Sequence, residues 1–116
     1  MKQNIIQEKS FRFAVKSVPL YKLLLAKKEF VLSKQFFSSA TSIGANVEEA
    51  IAAYSKKEFI SKMSISSKEA RETLYRIRVI EAGEFIEYNF DELKQESKEL
   101  IRILSAIVKS ARENLN

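Results

Sequence analysis

The chain has neither cysteine nor histidine among its 116 residues. Without cysteine there is no disulfide and no thiolate metal site, and the redox compartment is not encoded. Without histidine the commonest general base and the commonest metal ligand are both missing. An active site would have to work with carboxylates, lysine or tyrosine alone. One proline and two glycines are too few for a turn-rich β protein. No apolar run approaches the roughly 18 residues of a membrane span, and the opening MKQNIIQEKSF lacks the apolar core of a signal peptide. The expectation is a cytoplasmic protein with no membrane partner, no cofactor, no metal and no catalytic residue.

What is present favours helices. Leu, Ile, Ala, Lys and Glu are abundant, and the length suits one domain, 1–116, with a modest core. The net charge is +5, unevenly spread. Residues 1–40 hold eight basic and two acidic groups, +6, and residues 81–100 hold two basic and seven acidic groups, −5. These regions can pair within or between subunits, or the basic surplus can hold a polyanion.

Residues 32–54 read LSKQFFSSATSIGANVEEAIAAY. Phe36, Ala40, Ile43, Val47, Ala50 and Tyr54 recur at steps of four and three, one apolar stripe along a helix. Residues 38–46 are nearly all small, which lets neighbouring helices approach closely. Ser33 is a candidate cap for this helix. Glu48 and Glu49 point about 100° apart, so they read as salt-bridge partners rather than a paired catalytic site. Asn46, at the stripe's edge, is a candidate register-setting amide.

Before this helix, residues 1–10 read as a lead-in. Phe11, Ala14, Val18, Tyr21 and Leu25 then form one stripe, and Phe13, Leu20 and Leu24 a second about 120° away. Two apolar faces predict two neighbours, one of them another subunit. Pro19 predicts a kink, with a helix starting near Pro19 as the alternative. Lys9, Arg12, Lys16 and Lys27 lie opposite the first stripe, either as a solvated face or as phosphate contacts.

After it, Ser55 and Glu58 form a capping box ahead of a third helix with the core stripe Phe59, Met63, Ser66, Ala70, Leu74 and Ile77. Lys57, Lys68, Arg71 and Arg78 share another face with Tyr75. Cations around an aromatic ring suit phosphate contact and base stacking, and equally suit a solvated face. Ile65 and Val79, off the core stripe, hint at a partner surface. Gly83 is placed to end the helix in a left-handed conformation, and Asn89 to cap the fourth. There Phe90, Leu93, Ser97, Leu100, Leu104, Ile107 and Ala111 form the stripe, widened by Ile101 and Val108, and Lys109 and Arg112 suit the negative pole. The expected fold is all-α, an antiparallel up-down-up-down four-helix bundle with helix 1 kinked at its proline. Its helices span about 10–27, 31–53, 56–81 and 90–114.

The string LSKQFFSSATSIGANVEEA, followed by SKKEFISKMSISSKEARETLYRIRVI, resembles the four helix bundle protein family, also called 23S rRNA-intervening sequence proteins. The usual pattern there is close to LSxQLxRSxxSIxANIxEA and then SxxxFxxxLxIAxxSxxET. The resemblance runs from Phe11 through the fourth helix. It implies the bundle fold, often a ring-shaped homopentamer, and no established enzymatic activity. The family takes its name from reading frames within intervening sequences of large-subunit ribosomal RNA genes. A related group, the accessory variability determinants of diversity-generating retroelements, forms basic pentamers that work with a reverse transcriptase and RNA. This chain departs from the pattern at Ser38, where the family usually has Arg, at Ala40, where a small residue or Gly is usual, and at Arg76, where an aromatic often stands.

The expected function is therefore that of a non-enzymatic homo-oligomer, a pentamer by resemblance. It binds RNA or DNA through Arg12, Lys16, Lys57, Lys68, Arg71 and Arg78, with Tyr75 stacking on a base. The alternative is a protein–protein scaffold or accessory subunit with no nucleic-acid partner.

Overall fold

In the computed structural model, which describes residues 4–114, four helices account for most of the chain. They are α1 (Ile5–Ala26), α2 (Phe30–Ile51), α3 (Lys56–Ala82) and α4 (Asp91–Glu113). Each packs on its neighbour in sequence, and a sparser α1–α4 seam closes the bundle. Short connections force consecutive helices to run antiparallel. The result is an up-down-up-down four-helix rod, 49 × 25 × 20 Å.

α1 starts earlier than the sequence pattern implied. Asn4 caps it, accepting from the Gln7 backbone N–H at 3.0 Å, and Ile6 is buried in the core. The lead-in therefore shrinks to residues 1–3, which lie outside the described residues. Pro19 sits inside α1. What the structure shows at this position is helical continuity, so the helix does not begin there; it does not show a kink.

The two α1 stripes exchange roles. Phe13, Leu20 and Leu24 are completely buried, whereas Phe11 is 67 % exposed and Ala14, Val18, Tyr21 and Leu25 are only partly covered. On α2 the expected stripe is the core, from Phe36 to Ala50, except that Tyr54 lies beyond the helix and fully exposed. On α3 the core stripe is Ile60, Met63, Ser66, Ala70, Thr73, Ile77 and Ile80, with Phe59 and Leu74 at its margin. On α4 Val108 takes the place expected for Ile107, which is half-buried along with Ala111.

The small residues of α2 do two jobs. A Cβ on Gly44 would meet Ser10 Oγ of α1 at 3.4 Å and the Ser10 carbonyl oxygen at 3.5 Å, so α1 crosses here at van der Waals contact. On the opposite flank, Ser66 Oγ of α3 donates to the Ile43 carbonyl at 2.8 Å, and Thr73 Oγ1 donates to Ser39 Oγ at 3.0 Å. These buried hydroxyls are thereby satisfied and fix the α2–α3 register. That role falls to Ser66 and Thr73 rather than to Asn46, whose amide donates to the Ser42 carbonyl of its own helix.

The helix ends also differ in detail. Ser33 does not cap α2; it lies inside the helix, buried, and donates to the Phe30 carbonyl. The Ser55 capping box forms with a shifted return leg. Ser55 Oγ accepts from Glu58 N–H, while the Glu58 carboxylate accepts from Tyr54 N–H at 2.9 Å. Asn89 accepts from the Asp91 N–H at 3.0 Å, one residue ahead of the geometric cap Phe90. Gly83 is right-handed, φ −77°, and Glu84 takes the left-handed position at φ 55°. Gly83 is instead a close-approach glycine: a Cβ there would run into the edge of the Phe85 ring, so a side chain would require the ring to turn away.

Candidate nucleic-acid interface

The sequence offered two basic faces, on α1 and α3, and the bundle treats them differently. The α1–α4 seam sets the basic start of the chain against its acidic stretch. Lys9 Nζ reaches Glu99 at 3.0 Å, and Lys16 Nζ reaches Glu96 at 2.7 Å and Glu92 at 3.4 Å. Arg12 pairs with Glu8 one turn back at 2.7 Å. The hydrogen bond to Glu96 holds the Lys16 ammonium above the ordinary lysine range, against a smaller opposing effect of desolvation. Of the two expected nucleic-acid contacts on α1, Lys16 is engaged across the seam and Arg12 within its own helix. These pairs are solvent-exposed, so each contributes little stability. What they change is the local potential, offsetting the charge at Lys9, Arg12 and Lys16; Lys27, the fourth cation of that face, is exposed and makes no ion pair among the described residues.

The α3 row has no such partners. Lys57, Lys68 and Arg78 are exposed and make no ion pair among the described residues. Arg71 is also without a carboxylate; its Nη2 donates to Ser105 Oγ of α4 at 3.2 Å. The Tyr75 ring is 63 % exposed in the middle of the row. At 1.5 Å per residue the row extends about 30 Å along the rod, enough to follow several successive phosphates. Elsewhere on the bundle Glu49 is held by Lys62 at 2.8 Å and Glu81 by Lys94 at 2.7 Å.

Three further cations belong to this side of the molecule. Lys98, Lys109 and Arg112 of α4 are exposed and without an ion pair among the described residues. Their spacing places them on the flank of α4 that carries Ser105, the residue bonded to Arg71. Sequence reasoning assigned Lys109 and Arg112 to the helix dipole and passed over Lys98. The signal was their shared face at intervals of eleven and three, which acquires meaning only when α4 is laid antiparallel to α3.

The α2–α3 groove has a different character. Arg76 Nη1 donates to Gln35 Oε1 at 3.0 Å, and Glu69, Glu72, Phe30 and Val31 line the same groove. Burial first, and then the neighbouring Glu72 charge, push the Glu69 carboxyl above the usual range. A carboxyl raised in the folded state contributes stability below its unfolded pKa and loses it as pH rises through the folded value. Glu69→Gln is therefore expected to raise the unfolding free energy at pH 7 by under about 0.5 kcal/mol after solvent screening. The difference should fade as pH falls through the carboxylate range in paired thermal melts.

Among the described residues no group of three or more Asp or Glu side chains is placed to hold a metal, and no helix is long and apolar enough to cross a membrane. By class the chain is an all-α four-helix up-down bundle. The family model described as 23S rRNA-intervening sequence protein matches residues 2–106, and the chain belongs to that family. A crystal structure of a protein of unknown function from the S23 ribosomal protein family of Bacteroides thetaiotaomicron has the same fold. The two share 42 % identity with a TM-score of 0.85, over 90 % of this chain and 98 % of that one. No curated protein matches the chain significantly.

Proposed function

We propose that this protein is a non-enzymatic homo-oligomer, a pentamer in its assembled state, that holds RNA or DNA along the α3–α4 face. The observation that carries the reading is the row Lys57, Lys68, Arg71 and Arg78, exposed and free of carboxylate partners among the described residues around the exposed Tyr75 ring, while Lys9, Arg12 and Lys16 of α1 are paired with carboxylates. Self-assembly falls to the outward face of α1. Phe11 and Val15 are each more than half exposed, and the partly covered Ala14, Val18 and Leu25 extend the same apolar strip. Repeating the basic face on several subunits multiplies a weak contact by avidity.

The test is a salt titration of RNA and single-stranded DNA binding, paired with light scattering to count subunits. Four phosphate contacts per protomer predict that log affinity falls against log salt with a slope of about −3. Absence of binding to either polymer at low salt overturns the reading. Exposed Ile65 and Val79 beside the row favour the scaffold alternative, which predicts assembly or partner capture with no salt-sensitive nucleic-acid retention.

A further inference from the structure

Between the first half of α3 and the end of α4 lies an open pocket of about 430 Å³, lined by Ser64, Ser67, Ser105, Val108, Lys109, Arg112 and Glu113. Three of these carry hydroxyls and two carry permanent positive charge, against a single carboxylate at the end of α4. Ser64 Oγ is shielded from solvent and has no hydrogen-bond partner in the protein. The other buried serines and the buried threonine donate their hydroxyls to a carbonyl or a neighbouring hydroxyl, so this one is an exception in a fold that satisfies such groups. A helical serine ordinarily donates to the carbonyl one turn back, as Ser97 does. Ser64 does not, and it lines the pocket instead.

We propose that this pocket holds a phosphoryl group, that of a phosphate monoester. A terminal phosphate presents three oxygens that accept from hydroxyls and cations together. A guanidinium at Arg112 matches two of them in a fork, while Lys109 supplies a point charge. A turn about χ1 brings the shielded Ser64 hydroxyl to such a ligand, which then supplies the partner that the fold does not give it. Arg71 donates to Ser105 and so holds that lining serine from the α3 side. Glu113 opposes the ligand and tunes the site: with it, the lining carries a net charge of +1, and without it +2. The pocket lies on the same α3–α4 side as the row and meets it at Arg71 through Ser105, but it does not rest on that row binding nucleic acid. The same phosphoryl chemistry comes from two sources, the 5′ end of an oligonucleotide or a small phosphorylated metabolite.

The experiment is an NMR titration of the full chain with inorganic phosphate, followed by matched oligoribonucleotides bearing a 5′-phosphate or a 5′-hydroxyl. The expected result is saturable shifts at Ser64, Ser67, Ser105 and Arg112. Arg112→Gln should weaken phosphate binding at least about tenfold, the scale of one charge-assisted hydrogen bond, and Glu113→Gln should tighten it. Ser64→Ala should leave the fold intact, since no protein bond is lost, yet remove part of the thermal stabilisation that phosphate confers. A 5′-phosphate preference of about tenfold or more assigns the site to nucleic-acid ends; saturable phosphate binding without that preference assigns it to a small phosphorylated molecule. Non-saturating shifts, or the same binding in Arg112→Gln, overturn the proposal. Failure of oligonucleotide binding with phosphate still saturating would remove the interface reading and leave this one standing.

Discussion

Reversing Lys68, Arg71 and Arg78 to glutamate lowers affinity for RNA at low salt by about a hundredfold or more, while Arg12→Gln with Lys16→Gln changes it by less than about threefold. The first number follows from three phosphate contacts of about 1 kcal/mol each, which compound to roughly two powers of ten, before the repulsion added by the new carboxylates. The second follows from the geometry of the α1–α4 seam. Lys16 lies 2.7 Å from Glu96, and Arg12 lies 2.7 Å from Glu8. A phosphate binding there would have to displace a carboxylate already in place. The measurement is fluorescence anisotropy with a labelled oligoribonucleotide, with circular dichroism to verify folding of each variant. Equal losses for the two sets would show that the pairs open readily and that α1 takes part. Unchanged retention after the α3 reversal, accompanied by loss of assembly, would move the row to the scaffold reading.

Phe13→Ala is expected to cost about 3–5 kcal/mol of unfolding free energy, and Phe11→Ala less than about 0.5 kcal/mol in the isolated protomer. The two rings are separated by one residue on the same helix. Phe13 is completely enclosed among residues of all four helices' shared core, so its removal forfeits the transfer free energy of the ring and leaves a cavity. Phe11 is 67 % exposed and loses little by truncation. Against the 5–15 kcal/mol that holds a small domain together, the Phe13 change brings the bundle close to unfolding. Chemical denaturation of both variants measures it. Phe11→Ala carries a second expectation, because it lies on the apolar strip assigned to self-assembly: it should shift the oligomer toward protomers in light scattering. A large stability loss for Phe11→Ala in the isolated protomer would contradict its placement outside the core.

The pair also shows where sequence reasoning stops. Both α1 stripes are apolar and both fit a helical period, so periodicity alone leaves the choice between them open. The choice is made by what α1 must meet. With Phe13, Leu20 and Leu24 turned inward, Lys9 and Lys16 fall on the flank facing α4, where Glu99 and Glu96 receive them, and Tyr21 falls on the flank facing α2, stacking on Phe37 at 4.3 Å between ring centroids. Burial of Phe13, Leu20 and Leu24 in a core shared by all four helices decides it, and no local window contains that core. The candidate interface is legible to the same depth. The α3 row was visible as a shared face, because helical spacing alone places those side chains together. Its lack of carboxylate partners was not visible, nor was the neighbouring Ser64–Ser105–Arg112 pocket, which exists only where two antiparallel helices meet.

By itself the sequence determined the helical composition, the α2 core stripe, the Ser55 cap and the approximate number and length of the helices, because these depend on period and on chemistry within a turn or two. The SIGAN string within α2 also determined kinship. Tertiary structure alone decided which α1 face is core, which basic residues are paired with carboxylates, and that Gly83 serves a neighbouring ring rather than a left-handed turn. Each of those outcomes is set by a partner that is not adjacent on the local helical pattern, and charge, exposure and close approach are properties of pairs rather than of single residues.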